Sequence, residues 1–185
     1  MRKLFFTLTM LIFSQFCFGQ MVQDQAVVPV SVTLNSILRL TVTSGGNIVF
    51  VFNTIAQYTT GIAATPRTTT TFQVSSSRTY KVTMATESAT FIGLETGSIL
   101  FTNDNVGYTT TAAGGGAVLD GALHGLGVTQ EITPVLGAPA GGSHIYTVAW
   151  QVGQGVAPMK ATTLAVQSLA TDIYVNNIFL TLTPM

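Results

Sequence analysis

The chain is poor in the residues that most often do chemistry. Its 185 residues include one cysteine, one tryptophan and two histidines, and only 8% are charged. A single Cys17 excludes a disulfide framework within the chain. No HExxH and no paired CxxC occurs, so His124 and His144 have no partners for a tetrahedral zinc set. Ser143-His144 lacks a GxSxG elbow, and neighbours on a strand face opposite ways, which suits neither nucleophile nor base. Gly114-Gly115-Gly116 lacks the Lys-Ser/Thr of a phosphate loop. The seven carboxylates show no spacing that suggests a glycosidase pair. Asn103-Asp104-Asn105, with Asp120, offers oxygen ligands for calcium without the EF-hand spacing, and Asx-rich turns form for backbone reasons alone. An isopeptide cross-link needs a buried lysine facing Asn or Asp, and beyond Lys3 only Lys81 and Lys160 are present. These absences predict a non-enzymatic protein with no cofactor and no metal, both histidines being ordinary surface residues.

A leader opens the chain. Arg2 and Lys3 precede an apolar run over residues 4–16, and Cys17-Phe18-Gly19 places small residues for cleavage after Gly19. The run is shorter than the ~20 apolar residues of a spanning helix. Residues 1–19 are therefore expected to be a signal peptide, leaving a secreted chain from Gln20 to Met185 at the cell surface. That length suits one domain, with residues 20–35 able to act as a separate N-terminal strand. From Gln20 onward there are five basic and seven acidic residues, a net charge of 5 − 7 = −2. No basic patch exists, so neither nucleic acid nor an anionic membrane is an expected partner. Twenty-eight threonines lie in the same span. Threonine favours strands, and a sparsely charged threonine surface permits close packing of copies.

What the chain does have is period-two alternation. In residues 144–152 (HIYTVAWQV), Tyr146, Val148, Trp150 and Val152 share one face. This reads as a central strand. Residues 26–34 alternate likewise, with Val28, Val30, Val32 and Leu34 on one face and Pro29 confining the strand to an edge. Further strands are predicted over 37–43, then after a Gly45-Gly46 turn over 48–52, and over 68–75, 78–85, 89–94, 98–101, 107–111 and 130–136. A last strand covers 172–184, with Ile178, Leu180 and Leu182 inward and a bulge at Asn176-Asn177. Residues 53–66 read as an irregular connection, 112–127 as the least ordered stretch, and 161–170 as helix or strand. No long helix is expected. The fold class is all-β, a single mostly antiparallel β-sandwich with Ig-like or Greek-key connections. Its predicted core holds Tyr146, Val148, Trp150, Val152, Val82 and Leu180. A small outer-membrane barrel shares the alternation and stays as a minor alternative.

The signal ending Phe18-Gly19-Gln20, the opening strand 27–34 and the closing strand 174–184 (YVNNIFLTLTP) give the chain a likeness to known families. It resembles the secreted, threonine-rich β-sandwich proteins of Bacteroidota-type bacteria and, more loosely, fimbrial major subunits. Chaperone–usher subunits are similar in their alternating N-terminal donor strand, though they often carry a disulfide that this chain lacks. Pilins derived from lipoproteins begin at a lipidated cysteine, which Phe16-Cys17 does not match. The resemblance implies a surface filament or adhesin subunit. Val28, Val30, Val32 and Leu34 would then form a donor strand, with Ile178, Leu180 and Leu182 in the receiving groove. Expected partners are other copies of the chain and, for an adhesin, host or environmental surface ligands. The alternative function is a secreted glycan-binding module using Tyr58, Tyr108 or Phe101. Alternation leaves open whether strand 27–34 pairs within its own copy or with a neighbour.

Overall fold

The computed structural model describes residue 26 and residues 28–114, 116–127, 129–134 and 143–185. The predicted signal peptide, the end of the predicted strand 130–136 and the turn at 137–142 lie outside the described residues. The chain divides into two units, Met1–Leu34 and Asn35–Met185.

Within Asn35–Met185 the elements in order are β1 (Leu38–Ser44), α1 (Ile55–Thr60), β2 (Thr69–Ser76), β3 (Tyr80–Thr86), β4 (Ile92–Gly93) and β5 (Val106–Ala113). They continue with β6 (His124–Gly125), β7 (Thr129–Glu131), β8 (Ser143–Val152), β9 (Tyr174–Val175) and β10 (Ile178–Pro184). Short 3-10 turns lie at Pro66–Thr68, Asn103–Asn105 and Leu164–Val166. One sheet has the order β1-β2-β8-β5-β6, a second β10-β3-β7, and a two-stranded ribbon joins β4 to β9. Every ladder is antiparallel. The all-β architecture is as expected.

The sequence periodicity explains the layers. In β2, Phe72 and Val74 are buried while their neighbours are half-exposed; β3 repeats this with Tyr80, Val82 and Met84. β8 supplies Tyr146, Val148, Trp150 and Val152 to the same apolar cluster, so the two larger sheets share one core. Phe72 stacks on Tyr146 with ring centroids 5.1 Å apart. The buried indole of Trp150 donates to Thr70 Oγ1 at 2.9 Å, and Thr70 Oγ1 donates to the Gly45 carbonyl at 2.7 Å. An inward threonine thus satisfies both the tryptophan and the turn behind β1. Gly45, at φ +66°, is needed there: a Cβ would lie 1.8 Å from the Thr69 carbonyl oxygen. β8 lies between β2 and β5, with unbroken registers to both, and is the central strand that its alternation predicted.

Some expectations fail. The segment 48–52 is not a strand. Ile48, Phe50 and Phe52 pack against the core and Val49 and Val51 face outward, yet no main-chain hydrogen bond joins it to another described segment. Alternation reports which face is buried; it does not report whether the backbone finds a partner. Residues 98–101 form no strand either, although Ser98 and Phe101 accept main-chain bonds from Gly93 and Phe91 at 2.8 and 2.9 Å. The irregular stretch 53–66 contains α1, opened by a capping box in which the Thr54 side chain accepts from the Gln57 amide. Leu180 packs against the core half-buried rather than within it. His144 was expected at the surface and is 2% exposed, because it shares the inward face of β8 with Tyr146.

Candidate functional site

The described strands end at two kinds of edge. On one side the sheets finish in β6 and β7, of two and three residues, overlaid by main-chain bonds such as Leu119 N–H to the Ile132 carbonyl. On the other they finish in β1 and β10, of seven residues each, which come near one another at a few positions without pairing. Ser77 N–H donates to the Ile37 carbonyl, and Met185 N–H donates to the Thr79 carbonyl. The two residues just beyond the ends of these edge strands are therefore tied to the same β2–β3 corner.

The side chains there are incompletely covered. Inward residues of the central strands are 0% exposed at Phe72, Val82, Tyr146 and Val148. Their counterparts Leu38 and Leu40 on β1, and Ile178, Leu180 and Leu182 on β10, are only half-buried. Val42 on β1 is exposed. β10 carries no charge, whereas natural sheets usually blunt a long edge with lysine, internal proline or a bulge. The groove residues named from the sequence thus share one half-covered apolar face at an open sheet edge. In the unit Met1–Leu34, Val28, Val30, Val32 and Leu34 are 78–91% exposed. Residues 28–34 enter no strand and make no hydrogen bond among the described residues.

Elsewhere the polar groups serve packing. Tyr80 Oη is hydrogen-bonded to His144 Nδ1 and lies 2.8 Å from Tyr146 Oη, beneath β8. Burial pushes both tyrosines above their ordinary pKa; the hydrogen bond they share adds to the rise at Tyr146 and offsets part of it at Tyr80. Tyr108 donates to Gln130 and stacks on His124 at 5.5 Å. Burial, and then the nearby Asp120 charge, push Tyr108 up to about 12. His124 Nε2 lies 2.6 Å from Asp120 Oδ1, and that bond holds the Asp120 carboxyl below the usual range.

The Asx side chains considered for calcium are engaged in joining loops. Asn103 donates to Thr86 Oγ1 and the Ser88 carbonyl, and its own carbonyl oxygen accepts from Asn176. Asn105 Oδ1 accepts from Gln167 at 2.7 Å, and Asp104 accepts from Thr102. Among the described residues no group of three metal-binding side chains occurs. Lys81 pairs with Glu131 at 2.6 Å, and Lys160 donates to Thr102. Asp172 staples the turn after β4, accepting from the Glu95 and Thr96 amides and the Thr96 hydroxyl. The hydroxyl bond first, and then the amides, lower its pKa to about 2.

Of the aromatics considered for glycans, Phe101 and Tyr108 are buried, as is Trp150. Tyr58 is 38% exposed, beside a groove of about 270 Å³ lined by Ile55, Leu164, Ala165, Ser168 and Leu169. No described helix is long and apolar enough to cross a membrane. No protein-family model matches the chain, and no curated protein matches it.

Proposed function

We propose that the protein is a secreted structural subunit that assembles with copies of itself, residues 28–34 of one copy serving as a strand of the next. The observation that carries this reading is a pairing of opposites. An alternating segment leaves four aliphatic side chains exposed, and a seven-residue sheet edge leaves three aliphatic side chains half-covered. An added strand binds through main-chain hydrogen bonds, and alternate side chains set its register. Burying four such side chains contributes roughly 1.5–3 kcal/mol each before ordering entropy is subtracted. Repeated head to tail, the contact builds a filament. A filament subunit needs no catalytic constellation, and the polar clusters above are occupied in joining loops.

The test is a chain beginning at Asn35, the start of the larger unit. It should fold, remain monomeric and take up a synthetic peptide of residues 28–34, while the full chain forms fibres under the electron microscope. Fibres from the shortened chain, or a stable monomer of the full chain at high concentration, would overturn the reading. A second reading, glycan binding, draws on Tyr58 and its groove alone. It requires a saturable glycan-array signal that Tyr58→Ala removes.

A further inference from the structure

Resting on that reading, the hydrogen-bonding parity of β10 specifies where and in which direction the incoming strand binds. Glu87 N–H donates to the Asn177 carbonyl at 2.8 Å, and Met185 N–H donates to the Thr79 carbonyl at 2.9 Å. Between these bonds the β10–β3 register runs without a break from Ile178 opposite Thr86 to Pro184 opposite Tyr80. Along a strand, alternate residues turn their main-chain groups to the same side. Phe179, Thr181 and Thr183 therefore address β3. Ile178, Leu180, Leu182 and Pro184 address the open side, and their main-chain groups have no recorded partner there among the described residues. These same residues include the three whose side chains pack against the core.

Pro29 now becomes informative. With Val28, Val30, Val32 and Leu34 turned inward, Pro29, Ser31 and Thr33 form the outward set. In an antiparallel ladder, residues directly opposite share a face, and every second opposite pair, the one whose main-chain groups address the neighbour, exchanges both bonds. The inward residues of the segment would then bond the inward residues of β10, and Pro29 would look away, where its missing N–H costs nothing. In a parallel ladder a residue bonds the two that flank its opposite number. The outward set would then have to address β10, and Pro29 would leave a carbonyl unpaired. The edge of β1 has the same parity, since the Ile37 carbonyl accepts from Ser77, but its register shifts between Val42 and Ser44 after three free positions. β10 offers four, matching four aliphatic side chains.

We propose that residues 28–34 of one copy dock antiparallel on the free edge of β10 of the next, Val30 opposite Leu182, Val32 opposite Leu180 and Leu34 opposite Ile178. Thr33 then lies opposite Phe179, both facing outward at a position without ladder bonds, where side chains approach most closely.

Paired cysteines in the full chain carrying Cys17→Ser test this. Thr33→Cys with Phe179→Cys should give a disulfide-linked ladder on a non-reducing gel. Thr33→Cys with Thr183→Cys, the parallel pairing, should not. A ladder from the second pair only would overturn the orientation. Fibres with no ladder from either pair would overturn the assignment to β10 while self-assembly stands. A disulfide closed within single chains by the first pair, or a wild-type chain that never assembles, would overturn the proposed function itself. Proline substitution gives a second measurement inside a segment outside the unit Asn35–Met185. Val32→Pro removes an N–H facing β10 and should slow assembly at least tenfold. Ser31→Pro should leave the rate within about twofold. The reverse ranking would overturn the antiparallel pairing.

Discussion

The centre and the edge of this sheet system are written in the same sequence language and have different fates. β8 reads YTVAWQV over its last seven residues, and β10 reads IFLTLTP. Each sets large apolar residues at every second position, and β10 adds Phe179 on its outward face. In β8 the inward face is almost wholly buried, because β2 and β5 flank it and β3 covers it. In β10 only β3 flanks the strand, and the inward face stays half-covered. Alternation therefore states a demand for burial, and the number of neighbours decides how far it is met.

Substitutions should separate the two regions. Phe72→Ala at the centre should have the largest effect, about 3–5 kcal/mol of lost stability in a denaturant titration, because the packed site cannot collapse. Alkali should strike the same region. Tyr108, Tyr146 and Tyr80 are all raised, Tyr108 to about 12 from 10.0. Their neutral forms are favoured by folding, so their contribution is complete below pH 10 and is lost as pH rises from 10 towards 12 and beyond. Thermal melting against pH should show a falling midpoint above pH 10, and Tyr108→Phe should flatten the decline. Leu180→Ala at the edge should cost under ~2 kcal/mol, since part of the side chain already meets water, yet it should abolish fibres.

Asp172→Asn should cost stability near neutral pH and lose that cost in acid. The folded carboxyl titrates near 2, against an ordinary 3.8. Its contribution is therefore present above 3.8 and is lost as pH falls from 3.8 to 2. Wild type should destabilise across that window, and the variant should not share this step. Val32→Asp should do least to the subunit, changing its stability by no more than about 0.5 kcal/mol, because the residue is exposed. It should nonetheless prevent assembly. If Leu180→Ala and Val32→Asp leave fibres intact, the edge is not where copies join.

Much of this was legible in the residues. The central strand could be placed from HIYTVAWQV alone, and parity would also have placed His144 inward beside Tyr146. The surface reading of that histidine followed its usual exposure and ignored its position in the alternation. The capping box Thr54-Ile55-Ala56-Gln57 was a visible helix start inside a stretch read as irregular. Segment 48–52 was not decidable, because a strand and an unpaired extended cover carry the same pattern. Ile178, Leu180 and Leu182 could be named as one face from sequence. That their main chain also looks outward depends on two hydrogen bonds, at Asn177 and Met185, that no sequence pattern encodes.

The corner at Ser77–Thr79 has a mechanical consequence. It holds Ile37 on one side and Met185 on the other through main-chain bonds of 2.9 Å each. In a strand-exchanged filament, tension would enter a subunit through the chain leading into Ile37 and leave along β10. The corner joins entry and exit within a few residues. Load would then pass along one margin of the subunit in shear, across many hydrogen bonds at once, and the ladders of β2, β8 and β5 would carry little of it.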